Sequence, residues 1–229
     1  MFADLLNSTS ALPWKIGNTI IPAKRMPLLM GIVNVTPDSF FDGGKHNSPA
    51  DAFEHAISLV EQGADILDIG GESSRPGSAP VSEQEELDRV CPVVESLAQF
   101  AHIAEISGNN PRKFFISVDT TKAKVAEECM RLGAHIINDI SACQMDAQMP
   151  AVVARTQAAV VLNHMRGNFG TMQQDFKPYA NVVAEVCEEL DMRAKALMAA
   201  GVEPSHICID PGIGFGKTVQ DNIDLMKSL

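Results

Sequence analysis

The sequence predicts an α/β fold in which a parallel sheet is covered by helices, and three observations predict it. Short apolar runs of strand length alternate with amphipathic runs of helix length six times after Leu28. All six apolar runs end in polar or charged residues: Asn34, Glu72 to Arg75, Asp119, Asn138–Asp139, Asn163–His164 and Asp210. Glycines, prolines and side-chain caps stand at the breaks, where the turns between strand and helix need them. Such alternation implies parallel strands with helical crossovers. Two architectures satisfy it. An open doubly wound sheet gathers its ligand loops at one switch point, whereas a (β/α)8 barrel draws ligand residues from the ends of nearly every strand. Six polar strand ends favour the TIM (β/α)8 barrel. A full barrel needs eight units and roughly 250 residues; this chain of 229 residues supplies six units.

Residues 1–27 are expected to form an N-terminal extension with a hairpin around Lys15–Ile21, turning at Gly17–Asn18, and residues 28–229 a single barrel domain. The strand Leu28–Asn34 runs into Thr36–Pro37–Asp38–Ser39 and a loop rich in Asp, Gly and Lys. Ser48 is a side-chain cap, followed by Pro49 and the acid Asp51, which predicts a helix to Gln62 stopped by Gly63. The second strand, Asp65–Gly70, breaks into Gly71 to Gly77. Ser82–Glu83–Gln84–Glu85 is a capping box and opens a helix to Phe100. The third strand, Phe114–Val118, ends on Asp119, and Thr121 caps a helix that stops at Gly133. The fourth, His135–Ile137, leads through Asn138–Asp139 to a helix over 147–155. The fifth, Ala158–Leu162, ends on Asn163–His164; a long loop to Lys177 precedes a helix from Tyr179 to Ala200. The sixth, His206–Ile209, ends on Asp210, and Thr218 caps a last helix.

Composition excludes several classes. A content of 45% hydrophobic and 21% charged residues is that of an ordinary globular protein. The net charge of −11 argues against a nucleic-acid binder, though a few local Arg or Lys residues suffice for an anionic small molecule. No apolar run reaches the ~20 residues of a membrane span, and Met1 to Trp14 lacks the pattern of a signal peptide. Cys91, Cys129, Cys143, Cys187 and Cys208 are scattered, with no C-x-x-C pair, as expected of reduced thiols in a cytoplasmic protein.

A single Asp after a strand is usually a turn former or a cap. Six polar strand ends at one mouth suit a heterocycle with a donor–acceptor edge instead. Ser73–Ser74–Arg75–Pro76–Gly77 offers a hydroxyl and a guanidinium to an anionic oxygen. The Gly-rich run 212–217 misses both standard phosphate-loop fingerprints, so a tight turn and a phosphate cradle are equally open readings. His164 is open between a general base and a structural histidine. Asp68, inside its strand, is expected to be a buried structural carboxylate.

These residues add up to a family. The chain resembles the dihydropteroate synthases in the runs Met30 to Phe40, Asp68 to Gly77, Ser117 to Thr120, Ile137 to Ile140 and Asp210 to Lys217, in the family's order. The resemblance implies the (β/α)8 barrel and a transferase of folate biosynthesis. It would join 4-aminobenzoate to 6-hydroxymethyl-7,8-dihydropterin diphosphate, release diphosphate and use Mg2+. It implies that Asn34 is the metal ligand, that Ser74 and Arg75 sit on a loop at the diphosphate, and that Asp119, Asn138 and Asp210 hold the pterin edge. Ile140 and Phe215 would supply apolar contacts. Asp119 and Arg75 would be the catalytic groups, Asp119 stabilising cationic character at the pterin methylene. A homodimer is expected of complete members, with no nucleic-acid or membrane partner.

Two departures from the family pattern stand out. Asn163 occupies a position that is Met in many members, and the Ser-Arg-Lys and Arg-x-His motifs of a seventh and an eighth unit are missing. The chain is therefore expected to be C-terminally incomplete, with exposed strand edges and low activity or solubility. The alternatives are an inactive truncated pterin-binding barrel and a methyltetrahydrofolate–corrinoid type of methyltransferase, which has no diphosphate to grip.

Overall fold

The fold was analysed in a computed structural model that describes residues 13–23, 27–36, 48–73, 80–107, 112–167 and 178–229. In chain order the elements are β1 (Trp14–Ile16), β2 (Thr19–Ile21), β3 (Met30–Asn34), α1 (Pro49–Gln62), β4 (Ile66–Gly70), α2 (Glu83–Ser107) and β5 (Phe115–Asp119). There follow α3 (Ala123–Leu132), β6 (Ile136–Asp139), α4 (Met149–Thr156), β7 (Ala159–Asn163), α5 (Val182–Ala199), β8 (Ile207–Asp210) and α6 (Val219–Met226). They fall into two compact units. Among the described residues, one comprises 27–36, 48–73, 80–107 and 112–138; the other comprises 13–23, 139–167 and 178–229. Among the described residues no helix is long and apolar enough to cross a membrane.

In the first unit β3, β4, β5 and β6 pair in parallel in that order. Their Val33, Leu67, Ile69, Ile116, Val118, Ile136 and Ile137 are fully or nearly fully buried. The helices bring Ala52, Ala56 and Val60 from α1, Val90, Val93, Val94 and Leu97 from α2, and Val125, Ala126 and Cys129 from α3 to the core. Continuous β-branched burial is what a parallel strand covered by crossover helices requires. The start of α1 is as expected: Ser48 and Asp51 form a reciprocal capping box, and Gly63 closes the helix in a left-handed conformation.

In the second unit β7 pairs in parallel with β8, and α5 supplies Val186, Leu190, Ala194 and Leu197 to the core. The N-terminal hairpin forms where expected, with Trp14 opposite Ile21 and Gly17 in a left-handed turn. Trp14 Nε1 donates to the carbonyl of His206 at 3.1 Å, which ties the hairpin to the start of β8.

Several boundaries differ from expectation. Helix α2 runs to Ser107 rather than Phe100, because Ala104 is still buried and no helix breaker intervenes before Gly108. Helix α3 is capped not by Thr121 but by Lys122, without a side-chain cap bond. Thr120 Oγ1 instead accepts the Lys122 N–H at 3.2 Å, and the Lys122 side chain is engaged elsewhere. Helix α5 starts at Val182, where Asn181 caps the Ala184 N–H, rather than at Tyr179. The strands β5 to β8 extend one or two residues further than the apolar runs, so Asp119, Asn138, Asn163 and Asp210 lie inside the ladder. Backbone pairing, rather than hydrophobicity, sets where those strands end.

Two stability predictions follow from this packing. Gly133 ends α3 at φ +112°, and a Cβ there would stand 2.8 Å from the Ala98 Cβ. Gly133→Ala is expected to cost roughly 2–3 kcal/mol in urea unfolding, from left-handed strain plus a clash between helices. Gly17→Ala, at φ +55° with nothing within 4 Å, is expected to cost only about 1 kcal/mol.

His135 Nδ1 accepts the Ile116 N–H at 3.1 Å, and burial holds the ring below its ordinary 6.5. A depressed histidine contributes stability that is complete above the unfolded value and lost as pH falls through the folded one. The fall in unfolding free energy from pH 7 to pH 5 should therefore be smaller in His135→Asn than in the parent.

Candidate active site

The first unit brings three of the expected residues together by strand register alone. Asn34 lies opposite Gly70, Gly70 opposite Asp119, and Asp119 opposite Asn138. In paired strands, residues in register share a face, so one row at the C-terminal ends reads Asn, Gly, Asp, Asn. Gly70 keeps that row open. A Cβ on it would lie 3.5 Å from Asp119 Oδ2 and 3.7 Å from Asn34 Oδ1. Asn34 is exposed, and Asp119 and Asn138 are half-buried.

Two residues down the same strands lies a second row, with Asp68 opposite Ser117. Asp68 is buried, as expected, and Asn138 Nδ2 donates to its Oδ2 at 2.9 Å. Burial raises the Asp68 carboxyl, opposed by the nearby Ser117 hydroxyl and by the hydrogen bond from Asn138. Asp68 therefore orients Asn138: it occupies the amide nitrogen and leaves the amide oxygen as the group presented to a ligand.

Residues 74–79 lie outside the described residues, and with them Ser74 and Arg75. The chain on either side of that segment is anchored. Glu72 Oε1 accepts the Val81 N–H at 3.1 Å, and Arg89 Nη1 donates to the carbonyl of Gly71 at 2.7 Å. Glu72 Oε2 pairs with Lys122 Nζ at 2.5 Å, and Lys122 also pairs with the buried Glu86. Burial opposes the charge on Lys122, but the two carboxylates more than offset it and hold the ammonium above its ordinary range. Sequence reading missed this triad, since its members are 36 and 50 residues apart.

In the second unit Asp210 lies opposite Asn163 in the β7–β8 ladder. Asn163 Nδ2 donates to Asp210 Oδ2 at 3.3 Å, and the Gly212 N–H donates to Oδ1 at 2.8 Å. The Gly-rich run is a tight turn. Gly212 has φ +67°, and a Cβ there would stand 1.9 Å from the His164 carbonyl oxygen, so only glycine fits. Ile140 is buried and Phe215 half-buried.

Below the turn, Lys217 Nζ meets the carbonyls of Gly212, Phe215 and His164 at 2.8, 3.1 and 3.2 Å, and His164 Nδ1 at 3.0 Å. Lysine has donors only, so Nδ1 is the acceptor, and the ring carries its proton on Nε2, 3.0 Å from Glu189 Oε2. Burial, then Lys217, hold His164 below its ordinary range. With both nitrogens engaged, His164 is structural. Arg166 stacks over the Tyr179 ring at 3.8 Å and pairs with Glu185 and Glu189.

Each unit thus holds carboxylates and amides in ladder positions at the C-terminal ends of its own parallel strands, the arrangement from which α/β enzymes draw their ligand residues. Residues 30–229 match the family described as pterin binding enzyme, and the chain belongs to that family. It is 45% identical to the dihydropteroate synthase of Escherichia coli K12 over 203 residues, which is 89% of this chain and 67% of that protein. Among solved structures, the Xanthomonas albilineans dihydropteroate synthase with 4-aminobenzoic acid matches at 40% identity and a TM-score of 0.79, covering 95% of this chain and 72% of that one. The Burkholderia cenocepacia dihydropteroate synthase complexed with 7,8-dihydropteroate matches at 37% identity and a TM-score of 0.79, covering 96% and 70%. The fold class is thus the α/β barrel of these enzymes, with six βα units in this chain.

The Glu72–Lys122–Glu86 triad yields a test. Lys122→Met leaves the buried Glu86 carboxylate without its cation and is expected to cost about 3 kcal/mol in denaturant unfolding. Adding Glu86→Leu should recover most of that loss, because a buried pair replaced by apolar groups is close to neutral.

Proposed function

We propose that the protein is a dihydropteroate synthase that joins 4-aminobenzoate to 6-hydroxymethyl-7,8-dihydropterin diphosphate. The observation that carries this reading is the in-register row of Asn34, Asp119 and Asn138, with the braced carboxylate of Asp210 in the second unit. The names of the relatives support it, as do the 4-aminobenzoic acid and 7,8-dihydropteroate bound in two of their structures.

In the proposed reaction the arylamine nitrogen attacks the pterin methylene carbon. The C–N bond forms as the C–O bond to diphosphate breaks, and the amine then releases a proton. Asp119, a carboxylate in a rigid ladder, stabilises cationic character at the methylene. Asn138 offers its amide oxygen and Asp210 its carboxylate to the donor edge of the pterin, with Ile140 and Phe215 as apolar contacts. Ser74 and Arg75 grip the diphosphate. No strong base is needed, which agrees with a structural His164. The residues present fit Mg2+. Among the described residues no group of three or more His, Cys, Asp or Glu could hold a metal ion, but Asn34 exposes one amide at the strand end. Mg2+ characteristically takes few protein ligands beside substrate phosphates and water. When bound it would neutralise charge on the leaving diphosphate. The reading includes a cytoplasmic homodimer, on the family resemblance.

The test is diphosphate release and dihydropteroate formation from the two substrates. Asp119→Asn is expected to lower kcat about a hundredfold, and Asn34→Ala to raise the Mg2+ concentration needed for half-maximal rate. A parent protein that forms no dihydropteroate at saturating Mg2+ would overturn the proposal.

A further inference from the structure

Lys217 has an environment that the reaction does not explain. Its ammonium meets four acceptors with three hydrogens, and three of the four are backbone carbonyls. Among the described residues no carboxylate stands within ion-pair distance of its Nζ. A half-buried cation is ordinarily matched by a carboxylate; here it sits in a cage of peptide oxygens. The cage is a product of the turn. Gly212, Gly214 and Gly216 all have positive φ, and the carbonyls of Gly212 and Phe215 converge with that of His164 on one point. Converging carbonyl dipoles repel one another, and a cation between them removes the repulsion.

What the cage holds is more informative than the cage. Asp210 is fixed by the Gly212 N–H on one oxygen and by the Asn163 side chain on the other. Its carbonyl accepts the His164 N–H at 2.9 Å. Lys217 grips the carbonyl of Gly212 itself and the carbonyl of His164, the residue after Asn163. A Cβ at Gly212 would strike the His164 carbonyl at 1.9 Å and Asn163 Oδ1 at 2.8 Å, so these peptides are in close contact at this point. Both donors to the Asp210 carboxylate therefore belong to residues at, or next to, a carbonyl that one ammonium holds.

We propose that Lys217 is a positioning residue for substrate binding: by drawing together the carbonyls of His164, Gly212 and Phe215 it keeps the Gly212 N–H and the Asn163 amide on the two oxygens of Asp210. This rests on the reading of Asp210 as a pterin ligand. Lys217 has no part in the chemistry itself, so its loss weakens binding of the pterin and leaves the chemical step nearly intact.

The charge on Lys217 gives the inference a pH signature. Burial lowers its pKa to about 8, against the pull of Asp210 on β8, Glu189 on α5 and Asp221 on α6, and with Arg166 pushing the same way as burial. His164, which also faces it, is held neutral. Above about pH 8 the amine loses one hydrogen and its charge, the cage loosens and Asp210 is less well held. Pterin affinity is expected to fall across this range.

The experiment is direct binding of 6-hydroxymethyl-7,8-dihydropterin, by calorimetry at pH 7 and pH 9, to the parent, Lys217→Met, Asp210→Asn and the double variant. At pH 7, Lys217→Met is expected to raise Kd about tenfold, and the double variant should bind little worse than Asp210→Asn, since the two act on one contact. The parent should lose affinity between pH 7 and pH 9 by more than Lys217→Met does; titration of the ligand itself cancels in that comparison. With turnover, KM for the pterin substrate should rise and kcat should change less than about twofold. An unchanged Kd in Lys217→Met, or losses that multiply in the double variant, overturns the inference. If Lys217→Met does not fold, equal pH dependence in the parent and in Asp210→Asn overturns it, and dependence only in the parent supports it. A parent that binds the pterin without releasing diphosphate from the full substrates overturns the catalytic reading alone. A parent that binds no pterin overturns both.

Discussion

In a parallel ladder, register decides which face a side chain takes, and a slip of one residue sends every side chain on the strand to the other face. The first unit depends on this constraint. Asn34, Gly70, Asp119 and Asn138 come from four strands and share one row because their backbones pair in register. The buried Val33, Ile69, Val118 and Ile137, each one residue back along its strand, take the opposite face and are covered by the helices. Packing of the apolar face and aim of the polar face are therefore one decision. A slip would bury Asn34 and Asp119 and expose valine and isoleucine, at a cost of several kcal/mol for each buried polar group. The hydrophobic core thus selects the geometry of the site.

Three buried carboxylates each take at least one partner fixed in the framework, on one of their two oxygens. Asp68 takes the nitrogen of Asn138. Glu86, deep under α2, takes Lys122, which also reaches Glu72 at the break after β4. Asp139 accepts the N–H and hydroxyl of Ser141, both at 2.7 Å. For Glu86 and Asp139 the donor comes from the start of a neighbouring helix or loop, and for Asp68 from the end of a neighbouring strand. The cost of burying these groups is recovered only when the loop base is in place, which links rigidity at the loop bases to the stability of the fold.

Much of this was legible in the sequence. The alternation of apolar runs and capped helices gave the fold class, and three of the polar strand ends, Asn34, Asp119 and Asn138, fall in one row of the first unit. Ser48, Thr218 and Gly63 cap and close helices as their types require. What was not legible has physical reasons. Hydrophobicity marks where a strand is buried, not where its backbone stops pairing, so the apolar runs stop short of Asp119, Asn138, Asn163 and Asp210 although the ladder takes these residues in. Thr121 has the chemistry of a cap but lies one residue too early. The importance of Gly70 follows from what flanks it across the sheet, and those of Lys122 and Lys217 from partners distant in sequence. The Gly-rich run 212–217 allowed a phosphate cradle or a turn; a lysine turned inward onto carbonyls decides for the turn.

The contrast between the two half-buried lysines lies in what meets each ammonium. Lys122 is shared by two carboxylates, and those carboxylates are thereby engaged: one oxygen of Glu72 and one of Glu86 are turned onto the ammonium. Had Lys217 been matched in the same way by Asp210, that carboxylate would be similarly occupied. A cage of neutral carbonyls avoids this. It holds the cation near enough for Asp210 to favour its charge, yet among the described residues Asp210 receives only two neutral donors, one on each oxygen, from Asn163 and Gly212. Each oxygen of a carboxylate can accept two hydrogen bonds. One acceptor position on each therefore stays open, and the pair forms a planar bidentate acceptor suited to an edge carrying two adjacent N–H groups. Asn163, placed opposite Asp210 by the ladder, contributes by being neutral: an Arg or Lys at that position would brace Asp210 more strongly and cancel its charge.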